Sequence, residues 1–320
     1  LGAKSIGVSS TALGILSNAG GDASTALGVG SNASGSKSLA LNSGQAVGIA
    51  SLAFGFMSKA QGDYSIAIGR GITKFGGIYN LAEGAYSIAL GYSRVYGRNG
   101  IGIGTTNINA ERGIGLGTSI TVNSYNAVAV GYNNVDLGTS GTLPQWEDPI
   151  FIVGNGFSGT PSNALTILKN GKTGIGTSTP DEKFVVYNGT TTGRYTTTGW
   201  THVSDMRLKE NVMPISNVIE NVIKLQGVKF NFISDITKTQ QIGFIAQDFE
   251  KVFPEFVVTD NNGFKSIAYG QISAVLVEAI KEQQQQITTL KDEITNLQTQ
   301  QKDIDALKAE LEAIKAILKK

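Results

Sequence analysis

The segment Ser65–Gly69 reads SIAIG, and it is one copy of a phrase that recurs along the first 135 residues. Two bulky apolar residues stand two positions apart, a small residue lies between them, and the phrase ends on glycine. An apolar period of two predicts a short β-strand with one bulky face and one small face. A terminal glycine suits a tight corner, because glycine adopts positive φ without a steric penalty. The phrase therefore predicts a strand followed by a turn.

The copies of this phrase are regularly spaced. Their last residues, from Gly14 to Gly131, are 13 or 14 positions apart, except for a step of 22 between Gly69 and Gly91. One copy ends on Asn42 instead of glycine. A single strand of this kind cannot bury its bulky face alone, whereas the stacked coils of a solenoid can. We expect an aliphatic ladder inside the stack, and small residues on the face that another chain approaches.

Over residues 1–135 the phrases resemble the head repeats of trimeric autotransporter adhesins. The resemblance implies a left-handed parallel β-roll in which three chains share one head. No run of 18 apolar residues occurs, so membrane insertion is not predicted. We also expect upstream domains, since the chain starts at Leu1 rather than at a methionine.

The 22-residue step contains an insertion with aromatic and basic side chains. Loops on a rigid scaffold often carry recognition, so Lys74, Phe75, Tyr79 and the nearby Tyr86 are candidate receptor-binding residues. The receptor would be a glycan or a protein on a host cell surface. The alternative is that the insertion only caps or decorates one coil.

Residues 136–203 lose the strict spacing and read as short strands separated by glycine turns. The order of their phrases resembles the neck that lies upstream of chaperone domains in phage tail fibres. The sequence therefore predicts a β neck, or spacer, after the repetitive head.

A set of motifs marks the segment that follows the neck. They read SDMRLKENV at 204–212, GFIAQD at 243–248, FPEFV at 253–257 and VLVEAIKE at 275–282. Together they resemble the intramolecular chaperone auto-processing domain of phage tailspikes and tail fibres. Apolar side chains at strand-like spacing, such as Phe232 and Ile242, are interpreted as core, and Phe249 and Phe253 as part of a short helix before Pro254.

In that family a serine and a lysine cut the chain just before the serine, and the resemblance places these roles on Ser204 and Lys209. The bond cut is then the peptide bond between Val203 and Ser204. A serine hydroxyl needs a neighbouring base, and a lysine acts as a base only when it is neutral. Arg207 is a candidate source of the positive charge that favours a neutral lysine.

Two further residues of the motif are candidate supporting residues. Asp205 would cap a helix, and Asn211 would hold the active loop. The implied activity is that of a self-processing serine endopeptidase with a Ser-Lys dyad, which turns over once in cis and has no other substrates. His202 is the only histidine, and we interpret it as a strand or loop residue rather than a catalyst.

Residues 271–320 contain no glycine or proline, and their apolar residues recur at steps of three and four. Ile280, Ile287 and Ile294 share one heptad position, and Leu290 occupies the other. This pattern predicts a coiled-coil helix. Isoleucine at a with leucine at d favours dimers in simple parallel coils, whereas both resemblances imply a trimer, which is the assembly that we expect.

The predicted fold class is mainly β followed by α+β. We expect a parallel β-roll head at 1–135, a β neck at 136–203, a small α+β chaperone domain at 204–270 and a long helix in a trimeric coiled coil at 271–320.

Composition narrows the classes of function. The chain has 26 basic and 25 acidic residues, and near-neutrality argues against a bulk attraction to nucleic acid. It has no cysteine, which excludes disulfides and thiolate metal sites. No metal and no other cofactor is predicted.

The function expected from these observations is the receptor-binding tip of a viral tail fibre, matured by self-cleavage. It would be part of the virion and would be assembled in the host cytoplasm. One alternative is a cellular trimeric surface adhesin with the same module. Another is a fragment of a glycan-degrading tailspike, which would need paired carboxylates in a cleft, whereas the acidic residues of 1–140 are scattered among the coils.

Overall fold

A computed structural model gives the fold of the chain. It describes residues 2–71, 80–190, 192–197 and 199–318. The contacts divide the chain into two compact units, Leu1–Arg207 and Leu208–Lys320, and each unit is considered by itself. Within the described residues, no helix is both long enough and apolar enough to cross a membrane.

The first unit begins as a parallel β-solenoid in which most coils contribute two short strands. The front strands contain the repeated phrase: Thr11–Leu13, Thr25–Leu27, Leu39–Leu41, Leu52–Phe54, Ile66–Ile68 and Ile88–Gly91. The back strands lie between the phrases: Lys4–Ser5, Asn18–Ala19, Asn32–Ala33, Gln45–Ala46, Lys59–Ala60, Leu81–Ala82 and Arg94–Val95. Front and back strands then merge into Ile101–Ile108 and Ile114–Val122, and Val128–Tyr132 follows.

Neighbouring front strands pair in parallel and keep one register. Leu27 aligns with Leu41, and Leu41 aligns with Phe54. The 22-residue step does not disturb this register, since Ile66 aligns with Ile88 across it. The prediction of a parallel β-solenoid is therefore confirmed.

The corners that follow the front strands also behave as predicted. Gly28 has a φ of +100°, and Asn42, which replaces glycine in its copy, has a φ of +49°. Asparagine tolerates the left-handed region better than most residues with a side chain. This explains why it can stand where the other copies have glycine.

Small residues fill the interior of the solenoid, which corrects the expectation of an aliphatic ladder inside. Ala26, Ala40 and Ala53, from the middle of successive front strands, are fully buried. The bulky residues of the front strands face outward, so that Phe54, next to Ala53, is 45% exposed, and Ile103 of the later strand Ile101–Ile108 is 41% exposed. The front and back strands of a coil face each other across a thin interior. Alternation therefore places alanine inside and the aliphatic side chains outside.

Where the front strand carries glycine in place of alanine, the back strand fills the space. Gly102 aligns with Ala89, and Gly115 aligns with Ala129. A Cβ atom on Gly115 would clash with the buried side chain of Ile108. Interiors are packed to a nearly constant density. A smaller residue on the front strand is therefore matched by a larger one on the back strand of the same coil.

A buried asparagine closes the coil that contains the insertion. Asn80 is fully buried, and its Nδ2 donates to the carbonyl oxygens of Gly91 (2.9 Å), Ala89 (3.2 Å) and Ile68 (3.3 Å). These contacts join the coil before the step to the coil after it. They allow the strand pairing to continue past residues 72–79.

The solenoid leads into a neck in which most strand pairs are antiparallel. Its strands are Pro149–Asn155, Asn163–Leu168, Thr173–Ile175, Phe184–Tyr187, Thr192–Thr196 and Gly199–His202. The buried carboxylate of Asp148 stabilises the start of the neck, because it accepts a hydrogen bond from the Thr139 amide (2.8 Å) and lies 3.8 Å from Lys169 Nζ. Burial lowers the pKa of Lys169, and the negative charge of Asp148 opposes that change.

The second unit is a small α+β fold followed by a long helix. A short helix at Ile219–Val222 comes first, then the strand pair Val228–Phe230 and Gln241–Gly243, the helix Ala246–Glu250, the 3-10 turn Pro254–Phe256, the strand pair Val257–Thr259 and Lys265–Ile267, the 3-10 turn Tyr269–Gln271 and the helix Ile272–Leu318. A further 3-10 turn, Met206–Leu208, lies at the division between the units.

The core of the second unit is built mainly from phenylalanines. Phe249 and Phe253 are buried against Val275 of the long helix. Phe249 lies in a short helix that ends before Pro254, as predicted, whereas Phe253 lies outside this helix, which ends at Glu250. The interpretation of every strand-spaced apolar residue as core is wrong. Ile242 is 79% exposed because it lies on the outer face of its two-stranded sheet. Phe232 lies two residues beyond the strand Val228–Phe230 and is 60% exposed.

The final helix has 47 residues, so the predicted C-terminal helix is confirmed. Its predicted seam is open in the single chain, with Ile287 39% exposed and Ile294 53% exposed. A helix of this length with an exposed apolar stripe is stabilised when the stripe packs against other helices.

The small interior predicts opposite effects for two adjacent residues of one back strand, Gln45 and Ala46. Ala46 is fully buried and Gln45 is exposed. We expect Ala46→Leu to lower the free energy of unfolding by about 1–3 kcal/mol, because it overpacks the interior. Gln45→Leu adds its bulk outside and should change stability by about 0.5 kcal/mol or less. Denaturant unfolding of the full chain followed by circular dichroism measures both, and equal effects would contradict an alanine-filled interior.

Candidate functional site

The predicted cleavage segment follows directly on the last hairpin of the neck. The strands Thr192–Thr196 and Gly199–His202 form this hairpin, with Gly193 opposite His202. Val203 continues the pairing, since its amide donates to the carbonyl oxygen of Thr192 at 3.4 Å. The scissile bond of the hypothesis thus lies immediately outside a completed hairpin.

Asp205 and Arg207 form a tight pair beside this bond. Asp205 Oδ1 accepts hydrogen bonds from the backbone amide (2.9 Å) and the Nε (3.0 Å) of Arg207, and Asp205 Oδ2 accepts one from Nη2 (2.6 Å). The side-chain hydrogen bond from Arg207, helped by the backbone one, lowers the pKa of Asp205, and the same contact raises the pKa of Arg207. The carboxylate caps the turn Met206–Leu208. The pair carries little net charge, so it offers less support for a neutral lysine than a lone guanidinium would.

The two proposed catalytic residues belong to different units. Ser204 lies at the end of the first unit, and Lys209 lies at the start of the second. Both side chains are exposed in the single chain. Asn211, two residues after Lys209, has a φ of +53°, a conformation that asparagine tolerates, and it reverses the chain after the turn.

A glutamate on the long helix holds the segment that follows Asn211. Glu282 Oε1 accepts a hydrogen bond from the Val218 amide (3.1 Å), and Oε2 accepts one from the Ile219 amide (3.0 Å). These amides belong to the first turn of the helix Ile219–Val222, so Glu282 acts as its N-terminal cap. The backbone hydrogen bond from Ile219, with those of neighbouring amides, lowers the pKa of Glu282. This role could not be predicted from the sequence pattern, because Glu282 is 63 residues from the Ile219 amide along the chain.

Of the candidate receptor-binding residues, the structure describes Tyr86, whereas Lys74, Phe75 and Tyr79 lie outside the described residues. Tyr86 is 49% exposed, and its ring stacks on that of Tyr64 with centroids 5.0 Å apart. It lies at the corner before a front strand.

The flanks of the insertion, in contrast, lie after a front strand. Gly71 and Asn80, which flank the undescribed residues, follow the strand Ile66–Ile68 and precede the back strand Leu81–Ala82. Tyr86 and the flanks of the insertion are therefore at opposite ends of the front strand. Tyr64 was not predicted, although its place before Ser65 matches the place of Tyr86 before Ser87 and could have revealed it.

Comparison with family models agrees with both halves of this architecture. A family model described as chaperone of endosialidase matches residues 204–258. Over these residues the chain is similar to chaperone-of-endosialidase domains. A model of the YadA head domain repeat matches residues 5–31, 19–41 and 46–71, so these early coils are similar to YadA head repeats. The two resemblances drawn from the sequence are confirmed.

Curated relatives come from bacteriophages. The chain is 34% identical over 98 residues to the long tail fibre protein Gp37 of Enterobacteria phage K3, covering 28% of this chain and 8% of that protein. It is 32% identical over 96 residues to Gp37 of Enterobacteria phage M1, covering 28% of this chain and 38% of that protein. The match thus spans well under half the length of these relatives.

The cap at Glu282 predicts a pH-dependent local structure. A carboxylate whose pKa is lowered by folding stabilises the folded state above its unfolded pKa, and this contribution is lost as the pH falls through the folded pKa. The lowered pKa of Glu282 therefore predicts that the amides of Val218 and Ile219 lose hydrogen-exchange protection only below the usual range of glutamate.

Hydrogen exchange of the full chain, with protection factors corrected for the intrinsic pH dependence, measures this loss. Glu282→Gln should lower the protection of both amides at neutral pH. Glu278→Gln is the matched control, since Glu278 lies one turn away and pairs with Lys281 instead. Equal protection in both variants would show that Glu282 is not the cap.

Proposed function

We propose that this chain is the C-terminal part of a homotrimeric phage tail fibre with a receptor-binding role. In this proposal the head is 1–135, the neck is 136–203, and the chaperone comprises 204–270 with the helix 271–320. The chaperone directs trimerisation and folding of the β-fibre, and it is then released by self-cleavage between Val203 and Ser204. The observation that carries the proposal is the chaperone-of-endosialidase match, which starts immediately after the completed hairpin of the neck.

The outward aliphatic face of the solenoid supports a trimer. Leu27, Leu41, Phe54 and Ile68 align in one outer ladder, and the exposed members of this ladder leave apolar surface in water. A contiguous apolar surface of this kind marks a protein interface. The exposed apolar seam of the long helix would likewise be buried against other copies of the chain. Both the solenoid and the helix therefore favour association between chains.

The cleavage step can be written with residues of this chain. The hydroxyl oxygen of Ser204 attacks the carbonyl carbon of Val203, and the neutral amine of Lys209 takes the hydroxyl proton. Backbone amides stabilise the oxyanion. The bond between that carbon and the Ser204 nitrogen then breaks, the nitrogen takes the proton back from Lys209, and an ester links Val203 to the Ser204 side chain. Water hydrolyses the ester, giving a carboxylate on Val203 and a free amine on Ser204.

Cleavage is expected to follow assembly. Ser204 and Lys209 are both exposed in the single chain, whereas a lysine base needs a dry or positively charged environment. Other chains of the trimer can supply that environment. Asp205 and Arg207 act in this scheme by fixing the turn between the two residues, and Asn211 by fixing the loop behind Lys209.

A tail fibre is favoured over the two alternatives. The phage relatives favour a component of the virion, assembled in the host cytoplasm, over a cellular adhesin. A glycan-degrading tailspike needs two carboxylates across a cleft. Among the described coils, Asp22 and Asp63 instead accept hydrogen bonds from the backbone amides of Val8 and Ile49, both at 2.9 Å. These carboxylates serve the structure of the coils.

The proposed dyad predicts that cleavage is lost in two conservative variants. Ser204→Ala removes the nucleophile, and Lys209→Arg keeps the positive charge but cannot act as a base. Both should abolish the fragment 204–320 on denaturing gels and leave the size of the assembly unchanged. Lys224→Arg, at another exposed lysine of the same unit, should cleave normally. Normal cleavage in Ser204→Ala would exclude Ser204 as the nucleophile.

The proposed coiled coil predicts that the assembly depends on the isoleucine seam. The double variant Ile287→Asp and Ile294→Asp should abolish the three-chain species of the uncleaved Ser204→Ala protein, because buried charges without counterions are strongly unfavourable. The matched control, Thr288→Asp and Thr295→Asp, places the same charges one position beyond the seam and should remain a trimer. Analytical ultracentrifugation gives the mass, and a two-chain mass for the parent protein would contradict the trimer.

A further inference from the structure

One corner of the solenoid is a continuous row of residues with left-handed backbone. We call the residue before the first position of each phrase a corner residue. The corner residues are Ala23, Lys37, Ala50, Tyr64, Tyr86, Asn99, Arg112 and Asn126, with φ between +51° and +59°. The amide of Tyr64 donates to the carbonyl oxygen of Ile49 (2.7 Å), and that of Tyr86 donates to Asp63 (2.8 Å). Each corner residue is thus fixed on the coil before it.

Tyrosine is an unusual residue at such a corner. Glycine and asparagine adopt a φ near +60° at little cost, whereas bulky side chains rarely do. The chain nevertheless places tyrosine at two successive corners, Tyr64 and Tyr86. Lys37 and Arg112 share this conformation, but only the two tyrosines bring aromatic rings at successive corners into stacking contact.

The two tyrosine rings form the end of a stack. Their planes are 4° apart, with centroids 5.0 Å apart. The guanidinium of Arg98 lies 5.8 Å from the centroid of Tyr86 and covers its side of the stack. The other face of Tyr64 is turned away from Tyr86, toward the coil of Ala50, whose side chain is a single methyl group.

The coil of Ala50 therefore leaves a slot between two longer side chains. Strands of neighbouring coils are about 4.8 Å apart, so the corners of Lys37 and Tyr64, which lie two coils apart, are separated by roughly 10 Å. Contact between carbon atoms occurs at about 3.5–4 Å. This spacing leaves room over Ala50 for one six-membered ring in contact with the open face of Tyr64. We define the corner slot by Lys37, Ala50, Asp63 and Tyr64.

The chemistry of the corner slot fits a sugar ring. An aromatic face is apolar and carries partial negative charge, which suits the C–H face of a pyranose. Asp63 lies beside Tyr64, and its Oδ1 is held by the Ile49 amide at 2.9 Å, so a fixed carboxylate is available to accept hydrogen bonds from hydroxyl groups. Lys37, exposed at the other wall, adds a flexible donor.

We propose that the corner slot binds one pyranose residue of a host surface polysaccharide, stacked on Tyr64. This inference rests on the proposed receptor-binding function and names the ligand class and the residues. In a trimer the slot would occur three times, so that weak single-site binding would gain strength from multivalency. Tyr86 acts here as a positioning residue, since it holds the Tyr64 ring from behind.

Two variants separate this role from a purely structural stack. Ala50→Tyr extends the tyrosine stack by one coil and fills the slot, in a backbone conformation that already accommodates tyrosine at the next two corners. Tyr64→Asn removes the stacking face and keeps a residue that suits positive φ. Tyr132→Asn is the matched control, since Tyr132 is also exposed, at 40%, and lies in the last strand of the solenoid.

The test measures binding of the full chain to a microarray of purified bacterial O-antigen and capsular polysaccharides, together with binding to the source bacteria. The wild-type chain should bind at least one polysaccharide. Ala50→Tyr and Tyr64→Asn should each weaken that binding at least tenfold, and Tyr132→Asn should leave it unchanged. Unfolding and oligomer mass of Ala50→Tyr should match the wild type.

Three results would overturn the inference. Unchanged polysaccharide binding by Ala50→Tyr would show that the slot is not the site. Binding to bacteria without binding to any polysaccharide, especially if protease treatment of the cells removes it, would indicate a protein receptor and would leave the proposed attachment function in place. Binding to neither would contradict the glycan site and the attachment function together.

Discussion

The thin interior of each coil is the constraint on which the rest of this structure depends. Front and back strands of a coil face each other so closely that alanine, serine and glycine fill the space between them. Every apolar residue larger than alanine in the early front strands is therefore placed on the outer face. A fold that buries little aliphatic surface within one chain gains little hydrophobic stabilisation by itself, and in the proposed trimer contacts between chains supply the remainder.

This constraint also explains which parts of the fold could be predicted from sequence. The period of two in Ser65–Gly69 predicts strands, and the terminal glycines predict corners, because both depend only on local backbone geometry. Which of the two faces of each strand points into the coil could not be predicted from local geometry. Alternation separates a bulky face from a small face, and the usual expectation that larger apolar residues are buried assigns them wrongly when the interior is too thin to hold them.

The candidate sites show a similar limit. Ser204 and Lys209 could be named only because a whole motif surrounds them, since serine and lysine at this spacing have no meaning alone. Glu282 contacts backbone amides more than 60 positions away, and backbone contacts leave no trace in a single sequence. The contact between Tyr64 and Tyr86 could have been predicted, because residues at equivalent positions of successive repeats stack on one another. That prediction requires the alignment of successive repeats to be extended from the strands to the corner residues.

Repetition itself creates the need for a separate chaperone. If one chain of the proposed trimer slips by a whole coil, its outer ladder of Leu27 and Leu41 still meets apolar side chains of the other chains. The early coils are so alike that their contacts distinguish poorly between correct and shifted registers, and the energy gap that defines a unique fold becomes small. Some features differ between coils, such as Asn80 and the packing of Ile108 against Gly115. They fix the order of coils within a chain, but they lie inside the chain and do not align one chain with another. A C-terminal helix with one heptad seam has far fewer alternatives, so joining the chains there first sets the alignment of everything upstream. In the proposed function, a solenoid that has closed in register no longer requires the helper, and its removal would make the aligned state difficult to leave and to re-form, which is a kinetic form of stability.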